Sequence, residues 1–367
     1  MGSAVSNLTK GRWHKHSTSQ DDGQMGKTSS SKDVKGNNAE KNNRSYSMDG
    51  RVGNYHRQFS EDGSFNQSGS WKMGGTQRDS DCNGLPQRLQ SSYDSAEGKE
   101  SSGKKPGFGC SSVQGHRGTM EDRHIATQAV KIGGEACSIF AVFDGHGGTN
   151  CADYLVKHMS EAVQRHLSKN MGDPTAALSA AFNEVDTKFL ETDTLSEAEK
   201  EDGSTAVLML IMGGNCYCAN TGDSRAVLYR SRNECVQLSH DHKPNRPDER
   251  QRIQDLGGCV LFNRVMGRLA VSRAFGDKSL KPYVSADPEL TVTKLYQGDE
   301  FVILACDGLW DVSSNEQARE VVSWHLTARG GKAAAVALTT YAVRSGSADN
   351  VTAMLVDLRN VTSGLEP

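Results

Sequence analysis

The chain has 367 residues, with 42 Lys and Arg against 45 Asp and Glu, a formal net charge of −3. That balance makes no electrostatic case for a nucleic-acid partner, and no apolar run is long enough to cross a bilayer. The opening residues, MGSAVSNLTKGRWHKH, lack the apolar stretch of a secretory signal, and nine cysteines at irregular spacing read as reduced core residues of an intracellular protein.

Residues 1–105 are poor in aliphatic side chains and rich in Ser, Gly, Asn, Asp, Gln and Lys, as in DDGQMGKTSSSKDVKGNNAEKNNRSYS. Such a segment buries too little apolar surface to offset chain entropy, so it is expected to be a disordered tail. Trp13, Tyr46, Tyr55, Phe59, Phe65 and Trp71 are candidate docking points within it. Arg44 before Ser47 and Arg57 before Ser60 show the spacing that basophilic kinases prefer, a spacing that also arises by chance.

From Phe108 the character changes, and residues 106–360 are expected to form one folded domain. CSIFAVF (137–143), STAVLMLIM (204–212), CYCAN (216–220), RAVLYR (225–230), EFVILAC (300–306) and VTAMLVD (351–357) read as strands. Cys216 and Cys218, two apart in one strand, share a face; without a second Cys or His pair at zinc-finger spacing they too read as core. A first helix carries Ala152, Leu155, Val156, Met159, Val163 and Leu167 at helical spacing, behind Thr149 as N-cap. A second follows Pro174, with Ala177, Leu178, Ala181, Phe182, Val185 and Phe189 on one face. A third is expected from Ser313, with Glu316 at capping-box spacing and Ala318, Val321 and Val322 inward; a fourth covers 332–344, with Ala335, Leu338 and Ala342 inward. Tight turns such as NTGDSR favour antiparallel pairing. Helices in two consecutive pairs then imply an α+β domain: two antiparallel sheets in a sandwich, with helix pairs outside.

Carboxylates gather at the ends of these strands. Asp144 and Asp307 each close an apolar strand and precede a glycine, Asp349 stands just before strand 351–357, and Asp223 sits in the turn between two strands. Glu121 and Asp122 precede the first long strand. Asp-Gly after a strand is a common turn, so no one of these decides anything alone. Several carboxylates in one cleft, however, coexist unprotonated only around cations. An oxygen-only set selects hard ions such as Mg²⁺ or Mn²⁺, and two such ions about 4 Å apart can turn a bridging water into a nucleophile for phosphate. Glycine at 145, 147 and 148 lets a phosphoryl group approach the backbone and lets Gly145 offer its carbonyl.

The stretch from about 108 to 357, two thirds of the chain, resembles the metal-dependent Ser/Thr protein phosphatases of the 2C (PPM) type. Eight motifs carry the likeness in order: SSVQGHRGTMEDRH, FAVFDGHGG, DGSTA, ANTGDSRAVL, LSHDHKP, LAVSRAFGD, ACDGLWDV and SADNVTAML. The resemblance implies a protein phosphatase 2C-like sandwich over 106–360 that hydrolyses phosphoserine and phosphothreonine in proteins. It implies two Mg²⁺ or Mn²⁺ ions: Asp144 bridging both, the Gly145 carbonyl on one, Asp307 and Asp349 on the other, and Glu121 reaching them through water. Asp223 matches a position linked to a third, weaker ion. Arg117 would grip the substrate phosphate, its planar fork suiting two oxygens at once. His146 would protonate the leaving serine or threonine oxygen; a capping or core histidine is its bland alternative. The segment 243–270 corresponds to the family's flap beside the cleft, with a short helix between Pro247 and Gly257. There Arg246, Arg250 and Arg252 are candidates to meet phosphoprotein, though a solvated charged face is the simpler reading. His116 and His240 depart from the commoner family residues without touching any implied ligand.

Two other classes compete. A non-catalytic phosphoprotein-binding scaffold would be expected to have lost an acidic ligand, and none is lost; a metal phosphodiesterase acting on nucleic acid would want a basic stripe. The partners expected are therefore phosphorylated proteins and not nucleic acid, for a monomeric cytoplasmic enzyme. One further pattern modifies that location. Gly2 after Met1, with Ser6 at the favoured place, fits N-myristoylation. Lys10, Arg12 and Lys15 would add attraction to anionic lipid, and no cysteine precedes Cys82 to carry a second acyl chain. The expectation is peripheral membrane contact through N-myristoyl Gly2, in exchange with the cytosol.

Overall fold

A computed structural model describes residues 105–366, together with the backbone of 94–98. Gly2, the tail aromatics, Ser47 and Ser60 lie outside the described residues. In chain order the longer strands are β1 (Asp94–Gly98), β2 (Gly107–Val113), β3 (Arg123–Ile132), β4 (Glu135–Phe143), β5 (Ala206–Met212) and β6 (Asn215–Thr221). They continue with β7 (Arg225–Arg230), β8 (Glu234–Gln237), β9 (Glu289–Lys294), β10 (Asp299–Ala305) and β11 (Val351–Asp357). One sheet has the order β1-β2-β11-β10-β7-β8 and the other β9-β6-β5-β4-β3, every neighbouring pair antiparallel. β1 falls inside the stretch read from composition as tail: its backbone pairs with β2 from Asp94↔Ser112 to Gly98↔Phe108.

The central strands carry long apolar runs, such as Ile139–Phe143 and Ala206–Met212, because both of their faces are covered. In β4, Phe140 and Val142 point to the layer between the sheets, where they meet Leu228, Val302, Leu304 and Met354. Ile139, Ala141 and Phe143 point the other way, onto helices α1 (Asn150–Lys169) and α2 (Pro174–Glu191). Each such side chain contributes roughly 1.5–3 kcal/mol on burial, enough to hold strand register against a slip that would turn every residue over. Cys216 and Cys218 join the inter-sheet layer as free thiols, and burial pushes the Cys216 thiol up to about 12. They are core residues, as the lack of a second Cys or His pair at zinc-finger spacing implied.

The helices follow the expected pairs, with four corrections. Thr149 holds the N-cap position of α1, but its side chain makes no capping hydrogen bond. Val156, assigned to the buried face of α1, is 36% exposed. The capping box sits one residue later than Ser313–Glu316: the Ser314 hydroxyl accepts from the Gln317 N–H at 3.2 Å and the Gln317 side chain accepts from the Ser314 N–H at 2.8 Å. The third and fourth helices run on as one span, Asn315–Arg344, kinked at Gly330, where φ is 85°. After the short helices α3 (Pro247–Asp255) and α4 (Asp307–Trp310) this span is α5, and it packs on the first sheet through Ala318, Val322, Leu326, Leu338 and Ala342. Its kink receives β2: a Cβ on Gly109 would stand 2.2 Å from the Gly331 carbonyl carbon.

Candidate active site

The strand ends deliver the acidic cluster. Asp144 directly follows β4, Asp307 follows β10 after Cys306 and opens α4, and Asp223 lies in the turn from β6 to β7, so opposite sheets present carboxylates at one edge of the sandwich. Oxygen atoms of Asp144, Asp223 and Asp307 all lie within 4.8 Å of one another. Asp122, Asp144 and Cys306 form a second such group on the inner side. Burial, and then the charges of Asp122, Asp307, Asp223 and Asp349, push the Asp144 carboxyl well above the usual range. Burial followed by Asp223 and Asp311 raises Asp307 to about 7.

The cluster has the character of a hard-cation site. Asp122 is 3% exposed, and no hydrogen bond of good geometry reaches either carboxylate oxygen, although Thr352, Cys306 and Asp144 lie beside it; burial outweighs those neighbours and lifts it to about 6. Orphaned buried carboxylate oxygens are rare, because they cost the full desolvation penalty unless something satisfies them. The Asp144, Asp223 and Asp307 set is all oxygen and fits Mg²⁺ or Mn²⁺ and the waters such ions keep; burial holds the neighbouring Cys306 thiol well above its ordinary range, so it stays protonated.

The glycine after each strand-end aspartate has the same purpose. A Cβ on Gly145 would lie 2.5 Å from the Glu121 carbonyl oxygen, and one on Gly308 would lie 2.0 Å from the Asn350 carbonyl oxygen. The two Asp-Gly pairs therefore admit the loops that bring Glu121 and Asp349. Asn350 ties those loops together. Its side-chain oxygen accepts from the Glu121 N–H at 2.8 Å, and its amide donates to the Gln114 and Thr119 carbonyls at 2.8 and 2.9 Å. Arg117 stands at the mouth, its side chain 60% exposed, and donates to Asp349 Oδ2 at 2.6 Å.

His146 enters through a small sheet of its own. Gly145–His146, Gly203–Ser204 and Phe275–Gly276 pair edge to edge, which breaks the strand expected over 204–212 after Ser204. This pairing sets His146 Nε2 2.8 Å from Asp277 Oδ2. A Cβ on Gly203 would fall 2.2 Å from both atoms, so only glycine leaves room for the pair. Burial lowers the imidazole pKa, but the Asp277 hydrogen bond and charge outweigh it and the net shift is upward. Asp223, for its part, is ion-paired with Lys243.

Comparison with known proteins agrees with this geometry. The family model for protein phosphatase 2C matches residues 107–351. The chain is 43% identical to "Probable protein phosphatase 2C 55" of Oryza sativa subsp. japonica, over 70% of this chain and 67% of that one. It is also 43% identical to "Probable protein phosphatase 2C 59" of Arabidopsis thaliana, over 68% and 78%. The crystal structure of serine-threonine phosphatase 2C from Toxoplasma gondii superposes with a TM-score of 0.61 at 25% identity, covering 72% of this chain and 99% of that one. The chain belongs to the protein phosphatase 2C family. It is a metal-dependent protein-serine/threonine phosphatase.

The flap of this phosphatase 2C domain has the expected helix, α3, ended by Gly257 at φ 87°. Its arginines divide. Arg246 is bound to Asp248 and Glu289, and Arg252 to Glu249 and two carbonyls, so both are structural; Arg250 is exposed. His116 and His240 are exposed as well. Sequence reasoning missed Asp277 and Asn350 as partners and left Asp122 without a role. Asp277 lies 131 residues from His146 with no local signal linking them, whereas Asp122 stands next to Glu121 in SSVQGHRGTMEDRH.

Proposed function

We propose that the strand-end carboxylates hold two Mg²⁺ or Mn²⁺ ions: Asp144 between them, the Gly145 carbonyl on one, Asp307 and Asp349 on the other, Glu121 through water, and Asp223 at a third, weaker position. The observation that carries this is the meeting of Asp144, Asp223 and Asp307 within 4.8 Å beside an Asp122 whose oxygens no hydrogen bond of good geometry reaches. When bound, such ions supply an acidified water and positive charge against the phosphoryl oxygens. The chain's own residues do the rest. Arg117 exchanges its Asp349 contact for the substrate phosphate, presenting two N–H groups to two oxygens. His146 donates its proton to the leaving serine or threonine oxygen, and Asp277 favours the protonated ring that an acid must start from. The glycines on either side of His146 keep side chains out of the phosphate's approach.

The test is Asp144→Asn and Asp307→Asn, each shown folded by circular dichroism. Both are expected to lose Mn²⁺-dependent phosphate release from a phosphopeptide. Normal turnover in either would overturn the assignment.

Location and assembly follow the same reading. The phosphatase acts as a monomer on phosphoproteins in the cytoplasm and at membrane surfaces reached through N-myristoyl Gly2, an attachment that alone is marginal and reversible. The Met1-Gly2 and Ser6 pattern and the basic residues after it support this. Among the described residues no helix is long and apolar enough to cross a membrane. One Oryza sativa relative is named mitochondrial. Expression of the wild type and Gly2→Ala in eukaryotic cells, with fractionation and intact mass, decides: identical partition and no added acyl mass on the wild type would end the anchor reading.

A further inference from the structure

Lys243 is not a loose surface lysine that happens to meet an acid. The loop carrying it is pinned to the Asp223 turn by its neighbour His242, which is fully buried. The His242 N–H donates to the Gly222 carbonyl at 2.9 Å, and the Gly222 N–H donates to His242 Nδ1 at 3.2 Å. Those two bonds fix the Lys243 backbone beside Asp223, whose side chain is only 4% exposed. The ammonium closes an ion pair with Asp223, and the charges of Asp307 and Asp311 draw on it too. The lysine side chain is nevertheless 38% exposed, so its stem has solvent to swing into.

The geometry points to Lys243 as a tethered competitor for the cation at Asp223: ammonium and divalent ion occupy that carboxylate in alternation, and the ion binds weakly because it must displace the ammonium. The inference rests on the assignment of Asp223 to a third ion. Its physical basis is simple. A buried carboxylate with one fixed positive charge against it has little field left for a second cation, and two cations a few ångströms apart repel. On departure the lysine carries its single charge to water while the ion brings two, so the acidic cluster gains net positive charge only when metal is abundant. Metal concentration thus becomes readable at this position separately from the two tighter ions.

The experiment counts ions rather than turnover. Full-length protein is titrated with Mn²⁺ and free Mn²⁺ is read by electron paramagnetic resonance, for wild type, Lys243→Gln, Lys243→Arg and Asp223→Asn. The expected result is a weak class of sites that tightens about tenfold or more in Lys243→Gln, changes little in Lys243→Arg, and disappears in Asp223→Asn. A weak class that Asp223→Asn removes but Lys243→Gln leaves at wild-type affinity overturns the competition and spares the Asp223 assignment. Asp223→Asn binding as many ions as wild type, at the same affinities, overturns the assignment and the competition with it. Circular dichroism of each variant shows that the fold is retained.

Discussion

Two regions of the molecule bury carboxylates, and they treat them in opposite ways. At the strand ends Asp122 and Asp144 sit against other acids, and their pKa values rise. In the flap Glu249 is just as buried, at 1% exposure, yet burial is outweighed by hydrogen bonds to Arg273 at 2.7 Å and Arg252 at 2.9 Å, and its pKa falls. The flap's satellite core is small (Ile253, Val265, Val271, Ala274, Leu280 and Val284), so Glu249 serves as the hub that holds α3 to the loops beneath it. A buried acid whose charge is met by arginine is a structural part. A buried acid surrounded by other acids holds its charge only when something external meets it, and that need marks the active site.

The sharpest way to break this comparison is to remove one charge from each region. Asp307→Asn should abolish Mn²⁺-dependent turnover and, in chelator, leave the melting temperature unchanged or higher, because it relieves repulsion. Glu249→Gln should do the reverse, destabilising by about 3–5 kcal/mol by stranding two arginines, with the metal sites still able to bind Mn²⁺. Thermal melts with and without EDTA, paired with phosphopeptide assays, separate the two. A loss of stability in Asp307→Asn comparable to that in Glu249→Gln would end the distinction.

The same comparison predicts opposite responses to pH in metal-free protein. Asp307 has a folded-state pKa of about 7, above its unfolded value, so the native state binds the extra proton. Its contribution to stability is therefore fully present at low pH and is lost as pH rises toward 7. Glu249 is depressed, so its contribution is present at neutral pH and is lost as pH falls below the ordinary glutamate range. Chelated wild type should thus melt highest at mildly acid pH. Asp307→Asn should flatten the neutral side of that profile, and Glu249→Gln the acid side.

A smaller effect is expected at His146. His146→Gln should slow hydrolysis of phosphoserine roughly 10²–10⁴-fold and an aryl phosphate much less, because an aryl oxide needs less protonation to leave. Asp277→Asn should shift the loss in the same direction and move the upper limb of the pH–rate profile downward, since the ring loses the charge that favours its protonated form. Equal losses on both substrates would argue against proton donation.

What the sequence made legible was what repeats locally. Strands apolar at consecutive positions, such as IFAVF and FVILA, announce burial on both faces, and the Asp-Gly that ends each is visible without a structure. β2, β3, β8 and β9 were not read as strands. β3, β8 and β9 edge their sheets and mix exposed with half-buried residues, and β3 is further interrupted by a bulge near Ala129, at φ 53°; β2 is internal, but its glycines and serines hide the apolar signal. The pairing of His146 with Asp277 and the bracing by Asn350 depend on contacts across 131 and more than 200 residues, which no local pattern encodes. The helix register erred by one at Ser314 because two serines in a row offer the same cap, and only the Gln317 side chain distinguishes them.

The smallest expected effect concerns the boundary between tail and domain. Composition places the domain's start at 106, but Asp94–Gly98 pairs along β2 at the margin of the first sheet. β2 itself is well buried and lies against the α5 kink, so it keeps its place without β1. A chain starting at Ser101 should therefore hydrolyse phosphopeptide at the rate of the full-length protein, since no candidate site residue is removed. It should melt a few degrees lower, because each lost ladder hydrogen bond is worth only about 0.5–1.5 kcal/mol net and water replaces part of it at an exposed edge. A chain starting near Ser80 keeps β1 and should match full length in both respects. If the Ser101 chain loses most of its activity while the Ser80 chain does not, the edge strand matters to the site and not only to the sheet. If both lose it, residues before 80 act on catalysis, and the division into tail and catalytic domain is wrong.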